Sequence, residues 1–444
     1  MTRMMVLGAA VSGSAAARLG KRLGYSVTVY DQRPGAGATL MGEGIGMVTG
    51  RWDPDLLPGI GLVVASPGVP LRAAPITDAM EAGIPVWSEV EFAWRHLSDP
   101  SPRSNLVAIT GTNGKTTTTE AVAAMFGASG ISAAAVGNIG TPLSDVTDDT
   151  YQALAVEVSS FQLDLTEAFH PPTAILLNIA PDHLDWHPSY AAYVAAKAKI
   201  FANQEAHDLL VFDADDAGVA PVAARAPGRR HPVSGRERPA GGSGPAAGSL
   251  HLPGVTVPLD ALWARDPALV VDLTAAAVAA IDRGARPEAV ADVSRRFRPG
   301  SHRREVVAES AGVVFVNDSK ATNPHSALAA IESFGSVVLI AGGLSKGLDI
   351  TPLATAANVR FVIAMGTSAD TLMEAAGPDR SAGASSMEEA VAIAMRVARA
   401  GDTVLLAPGC ASFDMFDDYA ARGDAFIAEV RGLINDDRTV GGAA

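Results

Sequence analysis

The chain of 444 residues has a single cysteine, Cys410. Neither an intramolecular disulfide nor a cysteine-based zinc site can therefore form. Long apolar runs are missing too. The longest candidate, ALVVDLTAAAVAAI (268–281), is interrupted by Asp272 and falls short of the roughly 18 residues a membrane-spanning helix needs. Basic charge is scarce: 34 Lys and Arg stand against 48 Asp and Glu, a formal net charge of −14. That balance argues against a nucleic-acid-binding face, so an anionic substrate must be met by local cations or backbone N–H groups. No internal repeat is visible.

What is present suits a multidomain soluble enzyme. Hydrophobic residues make up 48% and charged residues 18% of the chain, enough for two to four domains to bury cores of their own. The opening Arg3 and MMVLGAAVSGSAAA superficially resemble a secretion signal. The same residues are better read as a strand, a glycine turn and a helix, and with one cysteine a reducing compartment fits. Short β-branched runs alternate with alanine-rich helical patterns almost throughout, which predicts α/β units with mostly parallel sheets. Strands are expected at 4–8, 26–31, 62–68, 106–110, 153–160 and 173–178, then at VVFVND, SVVLIAGG, VRFVIAMG and DTVLLAPG. The polar SDPSPRSN (98–105) reads as a linker and FRPGSHR (297–303) as a second boundary. Three domains follow: 1–98, 99–299 and 300–444. The Gly-, Pro- and Arg-rich stretch 225–248 is expected to be an exposed or mobile loop.

The stretch VAITGTNGKTTTTE (107–120) is the sharpest chemical signal. A Walker loop reads G-x-x-x-x-G-K-[ST], but Ile109 stands where its first glycine belongs, leaving a compressed loop from Gly111. Its backbone N–H groups, the following helix start and Lys115 suit a polyphosphate, and the Thr116 hydroxyl suits Mg²⁺. Thr117 to Thr119 are expected to open the helix, and Gly111 to make the turn. Glu157 ends an apolar strand, as a metal ligand or as a buried ion-pair partner. Asn178, Asp182, His183 and Asp185 follow another strand. Lys197 and Lys199 share a helix, by default on its solvated face. At the N-terminus Gly8-Ala-Ala-Val-Ser-Gly13, with Asp31 closing the next strand, approaches a dinucleotide-binding turn but has Ala10 at the second glycine position. Ser66-Pro67-Gly68 is a second glycine tip. In the last third, Ser319, Lys320, Thr322, Asn323 and Lys346 crowd turns at strand ends near His302 and Arg303. Together they suggest a second half of an active site closing over the first.

GTNGKT, EVSSFQL, NIAPDHLDWH, YVAAKAKIF, HRREVV, NDSKATN and CASFDMFDDYAARGDAF occur in the order and spacing of the Mur ligases, and the chain resembles that family over essentially its whole length. Within it, the pattern is closest to members that add D-glutamate. The resemblance implies an α/β protein of three domains: N-terminal Rossmann-like, central P-loop-type with a mostly parallel sheet, and C-terminal Rossmann-like. It implies a cytoplasmic, monomeric, ATP-dependent amide ligase acting on UDP-N-acetylmuramoyl-L-alanine and D-glutamate, with two Mg²⁺ ions and no role for nucleic acid or membrane insertion. Lys115, His183, Lys197 and Lys320 would be catalytic. Gly111, Thr112, Asn113, Gly114, Lys115, Thr116, Thr117, Arg303 and Asp318 would bind ATP. Thr116 and Glu157 would hold one Mg²⁺, His183 and Lys197 the other, with Lys197 as a CO₂-derived carbamate. Asn138, Ser159, Gln162 and His183 would contact the substrate, Ser12, Asp31, Arg33 and Ser66 its UDP end, and Thr322, Lys346, Ser412 and Tyr419 the glutamate. One departure stands out: the family's H-N-x-x-N segment, which meets adenine, is absent, and Asp272 aligns with its second asparagine. Three alternatives stay open. They are another Mur ligase or an L-glutamate-adding relative, a nicotinamide-dependent oxidoreductase, and a non-catalytic nucleotide sensor.

Overall fold

A computed structural model describes residues 2–148, 150–184, 186–263 and 265–441, the last seven without side chains. Its contacts form two compact units, Met1–Ile179 with Trp186–Phe297, and Ala180–Asp185 with Arg298–Ala444.

The first unit contains two parallel sheets and a small antiparallel one. Strands β1 (Arg3–Leu7), β2 (Ser26–Asp31), β3 (Gly46–Thr49), β4 (Ile60–Ala65) and β5 (Val86–Ser88) lie in the order β3-β2-β1-β4-β5. The second sheet contains β6 (Leu106–Thr110), β7 (Ala133–Gly137), β8 (Ala153–Glu157), β9 (Thr173–Leu176), β10 (Leu209–Asp213) and β11 (Arg229–Val233), in the order β11-β10-β9-β6-β8-β7. All five residues of β6 and of β8 are buried, as expected of parallel strands covered on both faces. Ile109 packs in β6 and is 0% exposed. One apolar core runs from Met4, Val6 and Leu19 through Phe92 and Trp94 to Leu154, Val156 and Phe169, so the first two sheets share buried surface. The polar stretch 98–105 is itself held: Arg103 Nη2 donates to the Trp94 carbonyl at 2.7 Å, and its guanidinium lies over the Trp94 ring.

The expected loop at 225–248 is interrupted by two short strands. It supplies β11 and β12 (Gly244–Ala246), and β12 pairs antiparallel with β13 (Ser249–Leu252), which pairs in turn with β14 (Val255–Pro258). Gly235 and Gly242 there permit close backbone packing. A Cβ on Gly235 would lie 1.9 Å from the Pro267 carbonyl oxygen, and one on Gly242 would lie 2.1 Å from that of Pro232.

The second unit is built on β15 (Glu305–Ser310), β16 (Val313–Asn317), β17 (Val337–Gly342), β18 (Val359–Met365), β19 (Ser381–Ala384) and β20 (Thr403–Leu406), in the order β15-β16-β20-β17-β18-β19. Only the β15–β16 hairpin is antiparallel. The α/β class with mostly parallel sheets is therefore as expected. Among the described residues no helix is long and apolar enough to cross a membrane.

Candidate functional site

The order of the second sheet reverses beside β6, and in open α/β sheets such a switch at the carboxyl strand ends is where ligands bind. The loop Gly111–Gly114 leaves β6 there and enters the helix Lys115–Ala128, which starts two residues before Thr117. Gly114 caps that helix with φ +81°, so Gly114 rather than Gly111 makes the left-handed turn. Gly111 is needed for a different reason: a Cβ on it would sit 3.0 Å from Leu177 Cβ. Asn178, at the tip of β9, braces the loop. Its Oδ1 accepts from Asn113 N at 2.7 Å and its carbonyl from Thr112 N at 2.8 Å. Lys115 Nζ spans the loop, donating to the carbonyls of Gly111 and Thr112 at 2.9 Å each. Thr117 is buried in the first helical turn.

Against this loop stands a buried carboxylate. Glu157, at the end of β8, is 3% exposed. Its Oε2 accepts from Thr116 Oγ1 at 2.7 Å and its Oε1 from Asn138 Nδ2 at 3.1 Å. A carboxylate bonded by these two neutral donors beside a helix N-terminus fits a hard, oxygen-seeking dication. Among the described residues no cluster of three or more His, Cys, Asp or Glu side chains could hold a metal, but Mg²⁺ can be held by one or two carboxylates completed by hydroxyl, water and phosphate oxygens. Lys197 does not lie on a solvated face. It is 2% exposed, and its Nζ donates to the Gly111 carbonyl at 2.7 Å. Ser159 and Gln162 form a capping box on the short helix Ser160–Asp164: the Ser159 hydroxyl accepts from Gln162 N, and Gln162 Oε1 accepts from Ser159 N. Asp272, a departure in sequence, lies at the phosphate loop. A Cβ on Gly114 would be 2.2 Å from its Oδ1.

In the first sheet, Gly8 and Gly13 permit close approach: a Cβ on Gly13 would lie 1.9 Å from the Gly8 carbonyl oxygen and 2.6 Å from Ser66 Oγ. Ser12, partly buried, is the second residue of the helix Val11–Arg22. Asp31 accepts from Ala9 N at 2.9 Å and from the Arg33 guanidinium at 2.9 and 3.0 Å. The Arg33 bond holds its carboxyl well below the usual range, aided by backbone donors and opposed by burial.

In the second unit His183 has φ +54°, and its Nε2 lies 3.7 Å from Asp182 Oδ2. Asp182 also accepts from Asn323 Nδ2 at 3.0 Å and lies 3.8 Å from Lys346 Nζ. Asp185 lies outside the described residues. Lys320 Nζ donates to the Tyr419 hydroxyl at 2.8 Å, Thr322 N donates to the Lys320 carbonyl, and Ser412 is buried nearby in sequence to Tyr419. Asp318 takes its guanidinium neighbour from Arg304, at 3.9 Å, rather than from Arg303, and it accepts from Arg304 N. Arg422 was not singled out in sequence. It is 3% exposed and donates to Ser319 Oγ, Ser319 O and Cys410 O, and burial lowers its guanidinium to about 10. It pins the turn carrying Lys320. Its sequence signal was its place in the CASFDMFDDYAARGDAF motif.

A Mur ligase MurD-like N-terminal domain matches residues 2–88, a Mur ligase middle domain 109–236, and a Mur ligase glutamate ligase domain 302–410. The chain is similar to the UDP-N-acetylmuramoylalanine–D-glutamate ligase of Frankia casuarinae, 44% identical with 96% of this chain and 93% of that protein covered. It is also similar to the ligase of the same name from Mycobacterium tuberculosis, at 38% identity with 97% and 96% covered. Among solved structures, MurF from Acinetobacter baumannii aligns with a TM-score of 0.62 at 15% identity, over 96% of this chain and 93% of that one. A pseudomurein peptide ligase type C from Methanothermus fervidus aligns with 0.59 at 18% identity, over 97% and 99%. At those identities the likeness is one of fold.

Proposed function

This chain belongs to the Mur ligase family, and from that premise we propose that it joins D-glutamate to UDP-N-acetylmuramoyl-L-alanine, consuming ATP and releasing ADP and phosphate in peptidoglycan precursor synthesis. The observation that carries this reading is full-length similarity, 44% over 96% of the chain, to a protein named for that reaction. The packing of Lys115, Thr116, Glu157 and Lys197 around one loop supports the ATP half. We assign the UDP substrate to 1–98, ATP to 99–299 and the amino acid to 300–444, in a cytoplasmic monomer.

The substrate carboxylate attacks the γ-phosphate in line, while Lys115 and Lys320 neutralise developing charge. The resulting acyl phosphate is attacked by the glutamate amine, and the tetrahedral intermediate loses phosphate. Thr116 and Glu157 would hold one Mg²⁺, with His183 and a carbamylated Lys197 at a second; when bound, the ions offset negative charge on the phosphates. A buried ammonium is a poor ligand, whereas its carbamate supplies anionic oxygens. Asn138, Ser159 and Gln162 orient the sugar-peptide. Ser12, Asp31, Arg33 and Ser66 hold its uridine diphosphate. Arg303 and Asp318 meet the nucleotide, and Thr322, Lys346, Ser412 and Tyr419 the glutamate. Water must be kept from the acyl phosphate, or hydrolysis would waste it.

The test is phosphate release with UDP-N-acetylmuramoyl-L-alanine, ATP and Mg²⁺, comparing D-glutamate, L-glutamate, meso-diaminopimelate and L-lysine. Release no greater with D-glutamate than without any amino acid sinks the proposal. Preference for L-glutamate would move the chain to an L-glutamate-adding relative.

A further inference from the structure

Behind the phosphate loop runs a buried polar string that the chemistry above leaves unused. His187 is 2% exposed. Its Nε2 lies 2.9 Å from Ser160 Oγ. Its Nδ1 lies 3.4 Å from Asp164 Oδ2, at an angle that makes no hydrogen bond. The imidazole stacks on Phe161 at 5.6 Å between centroids and meets Tyr193 edge-on at 5.3 Å. The Tyr193 hydroxyl in turn lies 3.0 Å from Thr112 Oγ1 in the phosphate loop, and Lys197 Nζ sits over the same ring, 4.6 Å from its centroid. At the far end Lys199 Nζ donates to the Asp164 carbonyl and lies 3.9 Å from its carboxylate.

Serine, histidine and aspartate in sequence have the composition of a nucleophile relay. Ser160, however, is 3% exposed at the start of its own helix and its hydroxyl is taken up by the His187 imidazole, so the string is assigned a mechanical role. The string begins one residue from Ser159 and its box with Gln162, and it ends on Thr112. Close-packed aromatic rings cannot slide independently without opening voids. Buried polar atoms that lose a partner are left with their desolvation uncompensated. A shift of Thr112 is therefore transmitted to Tyr193, His187 and the Ser160–Asp164 helix as one body.

We propose that His187 and Tyr193 are positioning residues that couple the phosphate loop to the Ser159–Gln162 segment, so that the nucleotide and the UDP-sugar peptide each tighten the other's binding. This rests on the reading that ATP occupies the loop and the sugar-peptide the segment with Asn138, Ser159 and Gln162. Coupling of this kind is reciprocal by thermodynamic necessity.

The experiment is a double-mutant cycle on binding. Tyr193→Phe removes only the hydroxyl at Thr112. His187→Phe keeps a flat ring between Phe161 and Tyr193 but removes both nitrogens. Calorimetry measures affinity for the non-hydrolysable analogue AMP-PNP with Mg²⁺, with and without saturating UDP-N-acetylmuramoyl-L-alanine. The wild type is expected to bind the analogue at least about fivefold tighter with the second ligand present. That ratio falls below about twofold in each variant, and the double variant falls no further, as for residues acting in series. A ratio near one in the wild type, or a wild-type ratio in Tyr193→Phe, overturns the proposal. If His187→Phe fails to fold, Tyr193→Phe alone decides. D-glutamate-dependent phosphate release by the wild type is measured alongside. Release without coupling overturns this inference alone, and coupling without release overturns the assigned reaction alone.

Discussion

Gly114 shows how one missing side chain can carry a site. Its φ of +81° belongs to the left-handed region, and an added Cβ would meet the Asp272 carboxylate at 2.2 Å. Gly114→Ala therefore combines backbone strain of about 1–3 kcal/mol with a clash against a buried charge. Affinity for AMP-PNP should fall at least about tenfold, roughly 1.4 kcal/mol, and the melting temperature should drop; calorimetry giving wild-type values for both would refute this. Lys197 makes a second case. It is buried with its ammonium on the Gly111 carbonyl, and the proposed carbamate would convert it to an oxygen ligand. Lys197→Ala should abolish phosphate release, with partial recovery when a short carboxylic acid is added. Full activity of that variant would remove Lys197 from the chemistry.

Among elements, the short helix Glu89–Trp94 joins the first sheet to the turn Leu143–Asp145. Glu89 is 1% exposed and accepts from Ser144 N at 2.6 Å. Burial, opposed by the Ser144 hydrogen bonds and aided by Asp145, raises its carboxyl from 4.5 to about 7. The sign follows directly. Below pH 4.5 the proton is bound in both folded and unfolded chains. Between 4.5 and 7 only the folded chain keeps it, so stability is lost as pH rises through that window and is level above it. The loss is on the order of 3 kcal/mol. Glu89→Gln, neutral at every pH, should flatten this part of the profile in urea unfolding between pH 4.5 and 8. An unchanged slope would show that Glu89 does not titrate there. Asp213, at the tip of β10, is raised to about 7 mainly by burial as well, so some slope should persist in the variant.

On the scale of the whole molecule, each compact unit has cores of its own, so unfolding need not be a single transition. All five tryptophans (Trp52, Trp87, Trp94, Trp186 and Trp263) fall in the first unit, and their fluorescence therefore reports that unit alone. AMP-PNP with Mg²⁺ at about 100 times its dissociation constant should stabilise it by about 2.7 kcal/mol, read as a higher melting temperature by tryptophan fluorescence. Lys115→Met should erase the shift, and an equal shift in that variant would place the nucleotide elsewhere.

Much of this protein follows from the sequence by itself. Apolar runs such as LVAIT and VVLIAG are long enough, and apolar enough, to be buried parallel strands wherever they sit. A glycine-rich loop before Lys115 implies a phosphate wherever a strand precedes it and a helix follows. Local patterning cannot reveal what a side chain meets across the fold. The 225–248 stretch reads as a loop because glycine and proline usually mark turns, yet it holds two short strands, and Gly242 and Gly235 admit the carbonyls of Pro232 and Pro267. Lys197 reads as solvated from the residues alone because a lysine pair on a helix defaults to its solvent face, whereas tertiary packing turns it toward Gly111. Arg304 faces Asp318 from a stretch in which His302 and Arg304 both take positive φ, a backbone path that adjacent arginines do not announce. Local periodicity and loop chemistry decide the elements and the ligand class; burial and long-range partners, which depend on residues far apart in the chain, decide which side chains the site contains.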